Sequence, residues 1–135
     1  QPGEVDAVGE VAPGVVLKVV PATRRVWTQA LEEGLVEQLM AAGALVSNAG
    51  CGGCAAGQIG QNGPGEVTVS SGNRNFAGKQ GKGEVYLASP ETAAASAVAG
   101  MICTAETIPA EPALFEIGQP NASAAEGFVV HELRR

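Results

Sequence analysis

The sequence predicts an α/β domain, a three-layer sandwich built on a largely parallel sheet. Three observations point there. A β-branched run, Val15 to Val20, leads through an amphipathic helical stretch to a second apolar run, Ala44 to Ser47, which makes a strand–helix–strand unit. A further strand, Glu84 to Ala88, passes directly into the helix start Ser89-Pro90-Glu91. Glycine is abundant, 19 of 135 residues, and aromatic residues make up only 4%, so backbones can approach closely and the turns between strands and helices can be tight.

The elements follow in order. Residues 1–14 are rich in Gly, Pro and acidic side chains and read as an irregular entry segment. Val15-Val16-Leu17-Lys18-Val19-Val20, closed by Pro21, reads as a buried strand. Thr23 is placed to cap a helix running to about Ala42. Val26, Trp27, Ala30, Leu31, Leu35, Leu39 and Met40 fall on one side of that helix, and Gly43 sits where it stops. Ala44 to Ser47 is the second strand, and Glu66 to Ser71 and Glu84 to Ala88 are two more. Ser89 as N-cap, Pro90 in the first turn and Glu91 behind it open a small-residue helix that ends at Gly100. The segment after Cys103 turns Pro- and Glu-rich. Residues 1–104 are therefore expected to form the domain. Residues 105–135 are expected to be a linker and tail, with short add-on elements at Leu114 to Ile117 and Phe128 to Leu133.

The net charge of −6 argues against nucleic acid as a partner, because a phosphate backbone is bound by clustered Lys and Arg. The adjacent basic pairs Arg24-Arg25 and Arg134-Arg135 read as a solvated helix start and a tail. No apolar stretch approaches the roughly 20 residues that cross a bilayer, and the first residues do not have the pattern of a signal peptide. Three cysteines are an odd number for a secreted disulfide framework, so a reducing, cytoplasmic setting is expected. Asn121-Ala122-Ser123, a glycosylation acceptor by pattern, reads as chance in that setting.

Two signatures carry chemistry. The first is Ser47-Asn48-Ala49-Gly50-Cys51-Gly52-Gly53-Cys54, in which two thiols three positions apart can converge on one iron–sulfur cluster or one metal. It follows the second strand, at the sheet edge where open α/β sheets bind ligands. Structural zinc would need two further ligands, and only Cys103 and His131 remain, both distant in sequence. A thiol–disulfide exchange pair would sit at the start of a helix, whereas Ala-Ala-Gly-Gln-Ile-Gly follows Cys54. Two inert buried cysteines are the third alternative. Iron–sulfur ligation leads these readings.

The second signature is Gly72-Asn73-Arg74-Asn75-Phe76-Ala77-Gly78-Lys79. It fails as a nucleotide loop, since its glycines enclose five residues and Gln80 follows the lysine. What remains is a turn offering a guanidinium, an ammonium and two amides, a receptor for carboxylate oxygens. An exposed polar hairpin is the bland alternative.

These segments, with Val11 to Val15, Ala30 to Leu35 and Ser89 to Ala93, occur in the order found in the aconitase superfamily. The chain resembles the C-terminal part of that family's catalytic large subunit over roughly residues 11–104, and is most similar to its 3-isopropylmalate dehydratase and homoaconitase branch. The resemblance implies an aconitase-type domain and a 4Fe–4S cluster held by three cysteines, with one iron left open for substrate. Cys51 and Cys54 match two ligand positions. Asn73 and Arg74 match active-site positions, Arg74 contacting a substrate carboxylate, and Lys79 stands where the family more often has arginine. The third ligand belongs to a Ser-Cys-Thr-Asn type segment that this chain lacks, and Cys103 is not in that context. His131 lies in the unmatched tail and is not assigned as an acid or base.

The expectation is thus one domain of a larger hydro-lyase, or a piece of a divided one. Such an enzyme isomerises hydroxy acids by dehydration and rehydration. Its partners would be the remaining large-subunit segments, a small swivelling subunit or domain, and a small hydroxy-acid substrate, with no nucleic acid and no membrane. A non-catalytic assembly or acid-binding domain, and a dithiol oxidoreductase, are the other function classes considered.

Overall fold

The computed structural model describes residues 10–72 and 76–113, and the strand at 128–131 by its backbone. The expected entry segment up to residue 9, the element at Leu114 to Ile117, and Asn73 and Arg74 lie outside the described residues.

The chain forms β1 (Val16–Val19), α1 (Arg24–Glu32), α2 (Leu35–Ala41), β2 (Leu45–Val46), β3 (Val67–Ser70), β4 (Glu84–Leu87), α3 (Pro90–Ala99), a 3-10 turn at Ala105–Thr107, and β5 (Phe128–His131). The strands make one sheet in the order β2-β1-β5-β3-β4, and every pairing in it is parallel. The fold is α/β on a parallel sheet, as its sequence predicts.

Two elements differ from expectation. The single helix from Thr23 to Ala42 is broken into α1 and α2 at Gly34, which adopts the left-handed conformation with φ +79°. A residue with a Cβ enters that region only at a cost, and glycine does not. The break resets the helical phase. Val36, outside the expected apolar face, is buried, whereas Leu31 and Met40 on that face are 49% and 62% exposed.

The second difference is β5. The sequence suggests a short add-on element in the tail, but the strand lies between β1 and β3, with Val130 in register with both Leu17 and Val69. A run of Phe128-Val129-Val130 has the continuous apolar character of a strand covered on both faces. Its pairing partners are about 60 to 110 residues away in sequence, so no local pattern could place it.

Leu17, Val19, Val67 and Val69 from the sheet pack with Ala44, Ala93 and Ala97 to form the core, and Leu39 and Val46 pack against it. The small side chains of α3 permit close docking; Ala93, Ala95, Ser96, Ala97 and Ala99 are all buried. Ser89 caps α3 through Thr92 N. Ser96 Oγ lies inside the helix–sheet layer, donates to Thr92 O at 2.7 Å and accepts from Cys103 N, so this buried hydroxyl is paired.

Candidate functional site

Because the sheet is parallel, the carboxyl ends of all its strands lie along one edge. The cysteine turn leaves that edge after β2 and the polar loop leaves it after β3. Three strand spacings of about 4.8 Å separate those exits. Residues 50–62 cross this distance. Gly50 N donates to Pro21 O just beyond β1, and Lys18 Nζ on β1 donates to Ile59 O at 2.9 Å. Trp27 Nε1 on α1 donates to Ser47 O at 3.1 Å and fixes the approach to the turn.

Cys51 and Cys54 are both exposed, with Cα atoms 5.6 Å apart, and their sulfurs meet as a disulfide pair. Exposure removes the reading of two inert buried cysteines. The segment after Cys54 is a series of turns, not a helix, so a helix N-terminus is not what acts on these sulfurs. Two sulfurs that meet on one exposed turn can reach a single metal centre once reduced, so the pair fits as two ligands of a shared centre. Among the described residues no three His, Cys, Asp or Glu side chains gather as a metal-binding group. Cys103 is a free thiol below α3, and burial pushes its pKa up, away from the thiolate a metal requires.

The polar loop is described at its two ends. Gly72 N donates to Ser70 Oγ at 3.1 Å, and Lys79, half-buried, closes a turn on Phe76 O. Register places His131 beside Ser70 at the carboxyl edge of the sheet.

The two signatures are joined by residues that belong to neither. Gln61 Nε2 donates to Gly53 O at 2.8 Å and to Lys79 O at 3.1 Å. Gln80, only 3% exposed, donates from Nε2 to Ser70 Oγ at 3.3 Å, while its Oε1 is buried and has no hydrogen-bond partner among the described residues. Asn62, also buried, donates from Nδ2 to Thr68 Oγ1 and Glu84 O, and its Oδ1 accepts from Gly83 N. Asn62 also forms a parallel bridge with Gly81. This bridge aligns the end of the cysteine loop with the end of the polar loop. Sequence reading missed these three residues because amides in glycine-rich loops look solvated. Their one signal was the side chain type, which can donate and accept at once.

An open cavity of about 330 Å³ flanks the cysteine turn, lined by Arg24, Trp27, Asn48 and Ala49. Among the described residues, no helix is long and apolar enough to cross a membrane.

A family model described as the aconitase family (aconitate hydratase) matches residues 4–100, more than half of the chain. The chain belongs to the aconitase family. Its relatives include a probable 3-isopropylmalate dehydratase large subunit of Methanothermobacter thermautotrophicus. That protein is 53% identical over 95 residues, which are 69% of this chain and 23% of the relative. A 3-isopropylmalate dehydratase large subunit of Mycolicibacterium smegmatis is 46% identical over 103 residues, 75% of this chain and 24% of the relative. A homoaconitase large subunit of Thermus thermophilus is 48% identical over 104 residues, 76% and 25% of the two chains. The chain spans about a quarter of the length of the curated relatives it matches. For this aconitase-family chain, the match takes in both signatures and stops before β5.

Proposed function

We propose that this chain is the part of an iron–sulfur hydro-lyase that presents two cluster cysteines beside a carboxylate-binding loop. The enzyme would isomerise small hydroxy acids of the isopropylmalate or homocitrate kind by dehydration and rehydration. The observation that carries this reading is the pair of hydrogen bonds from Gln61 Nε2, which ties the carbonyl between the two cysteines to the residue that ends the polar loop.

In this reading the reduced Cys51 and Cys54 thiolates hold two irons of a 4Fe–4S cluster, and the third ligand comes from elsewhere. A bound cluster supplies a Lewis-acidic iron for a departing hydroxyl. Arg74 anchors a substrate carboxylate through its planar fork, and Asn73 hydrogen-bonds beside it. Lys79 adds a second positive charge without a fork, so it attracts a carboxylate but orients it less tightly than arginine would. Residues 1–104 would carry these groups, and residues 105–135 would contribute β5 to the sheet. The remaining large-subunit segments and a small swivelling subunit are the partners, in a cytoplasmic setting. The disulfide pair must be reduced by two electrons before either sulfur can ligate iron.

Anaerobic reconstitution of the reduced chain, with the segments of a relative that it lacks, tests this reading through iron and sulfide content. Bound iron and sulfide in the assembled protein, lost in Cys51→Ser, are the expected result. Equal iron and sulfide in Cys51→Ser would remove the ligand assignment. No cluster in any assembly would leave a non-catalytic, acid-binding domain.

A further inference from the structure

Gln61 touches both signatures through a single nitrogen. Its amide NH2 has two hydrogens, and the bonds to Gly53 O and Lys79 O use both. Gln80 works alongside it. Its stem lies directly over Gly53, and its Nε2 shares the Ser70 hydroxyl with Gly72 N at the start of the polar loop. The cysteine turn is therefore held at both ends of the loop, near Gly72 through Gln80 and at Lys79 through Gln61. Of the two glutamines, Gln61 has the hydrogen bonds that cross directly from turn to loop.

We propose that Gln61 is a positioning residue that makes the Cys51–Cys54 turn and the Lys79 end of the polar loop one mechanical unit. Loading of the thiol pair then sets the position of the Lys79 backbone, which carries one of the loop's cations. This rests on the reading of the thiols as metal ligands and the loop as a carboxylate receptor. Its chemical sense lies in registration: a substrate bound to a metal at one end and to cations at the other reacts only when their separation is held, and an error of about 1 Å costs on the order of 100-fold.

Hydrogen–deuterium exchange on the full, phosphine-reduced chain tests it, with Cd²⁺ as the thiol-binding probe. In the unaltered chain, Cd²⁺ slows exchange at residues 50–54 and also, by at least about threefold, at the Lys79 and Gly81 amides, which close turns on Phe76 O and Gly78 O. Gln61→Leu keeps the bulk and removes both donors, so protection stays at 50–54 and vanishes at 76–81. Gln61→Glu keeps the shape but presents only acceptors to two carbonyls at neutral pH, and behaves like the leucine variant. Protection at 76–81 that persists in either variant overturns the proposal, as does an unaltered chain in which Cd²⁺ protects nothing beyond the turn. Unfolding of both variants also overturns it, because a device that only couples two loops is dispensable to the fold. Coupling without iron and sulfide uptake keeps the clamp and discards the hydro-lyase reading. Uptake without coupling discards the clamp alone.

Discussion

Gln80 lies so close over Gly53 that a Cβ at position 53 would stand 3.0 Å from Gln80 Cγ and 3.2 Å from both its Cδ and Gly60 O. The contact between the cysteine turn and the strand-side end of the polar loop thus depends on a missing side chain. Gly53→Ala must push Gln80 away from Ser70 or lift the turn off the loop. Overpacking of this kind costs about 1–3 kcal/mol. Urea unfolding should show a lower midpoint with an unchanged slope, and the Cd²⁺ affinity of the reduced pair should fall. An alanine variant with the original midpoint would show that the turn is free to move.

Gly81 presents a harder constraint. Its φ is +115°, and an added Cβ would overlap Asn62 O and come within 2.6 Å of Asn62 Oδ1. Backbone cannot swing aside as a long side chain can. Gly81→Ala therefore breaks the bridge to Asn62 and should destabilise the chain more than Gly34→Ala. Gly34 has nothing within 4 Å of a Cβ and loses only about 1–2 kcal/mol to the left-handed backbone. Paired denaturation curves decide the order.

Local chemistry in the sequence is enough to place β1, β3 and β4, and to start and stop α3 through Ser89 and Gly100. The parallel sheet follows from the strand–helix–strand unit. The break at Gly34 is harder to read, because the apolar residues on either side of it fit one continuous helical stripe until the phase is reset. β5 is illegible for another reason: its partners are remote, and its tail lies beyond the family match. At the site, Cys51 and Cys54 declare themselves by spacing. Gln61, Asn62 and Gln80 acquire their roles only when the fold brings residues 53, 68, 70 and 79 within reach of their amides.

Tyr86 titrates above its ordinary value. Its hydroxyl donates to Glu84 Oε2 at 3.1 Å, the carboxylate charge opposes a second negative charge nearby, and slight burial adds to both. It is the chain's single tyrosine, so the ultraviolet signal of tyrosinate reports this group alone. Glu84→Gln should bring the midpoint back toward the ordinary value. The sign for stability follows: a folded-state pKa above the unfolded one gives a contribution present below the unfolded value and lost as pH rises through the folded one. An unchanged midpoint in Glu84→Gln would assign the shift to something other than the carboxylate.

Asn62 is the last case, because its amide uses both ends. Nδ2 donates to Thr68 Oγ1 at 3.0 Å and Glu84 O at 3.2 Å, and Oδ1 accepts from Gly83 N at 3.0 Å. Asn62→Ala removes these bonds and strands buried partners, each at about 1–3 kcal/mol. Asn62→Asp keeps the acceptor for Gly83 N but turns a donor into a negative oxygen that faces the Glu84 carbonyl in a buried place, with only the Thr68 hydroxyl able to turn and donate to it. That environment holds the new carboxyl above the roughly 3.9 of a free aspartate. The linkage sign then makes the aspartate variant least impaired below pH 4 and progressively worse as pH rises, whereas the alanine variant carries a nearly constant deficit. Urea midpoints for both variants across pH 3.5 to 8 measure the difference. Parallel profiles would mean that the amide nitrogen is not the donor that joins the cysteine loop to β3 and β4.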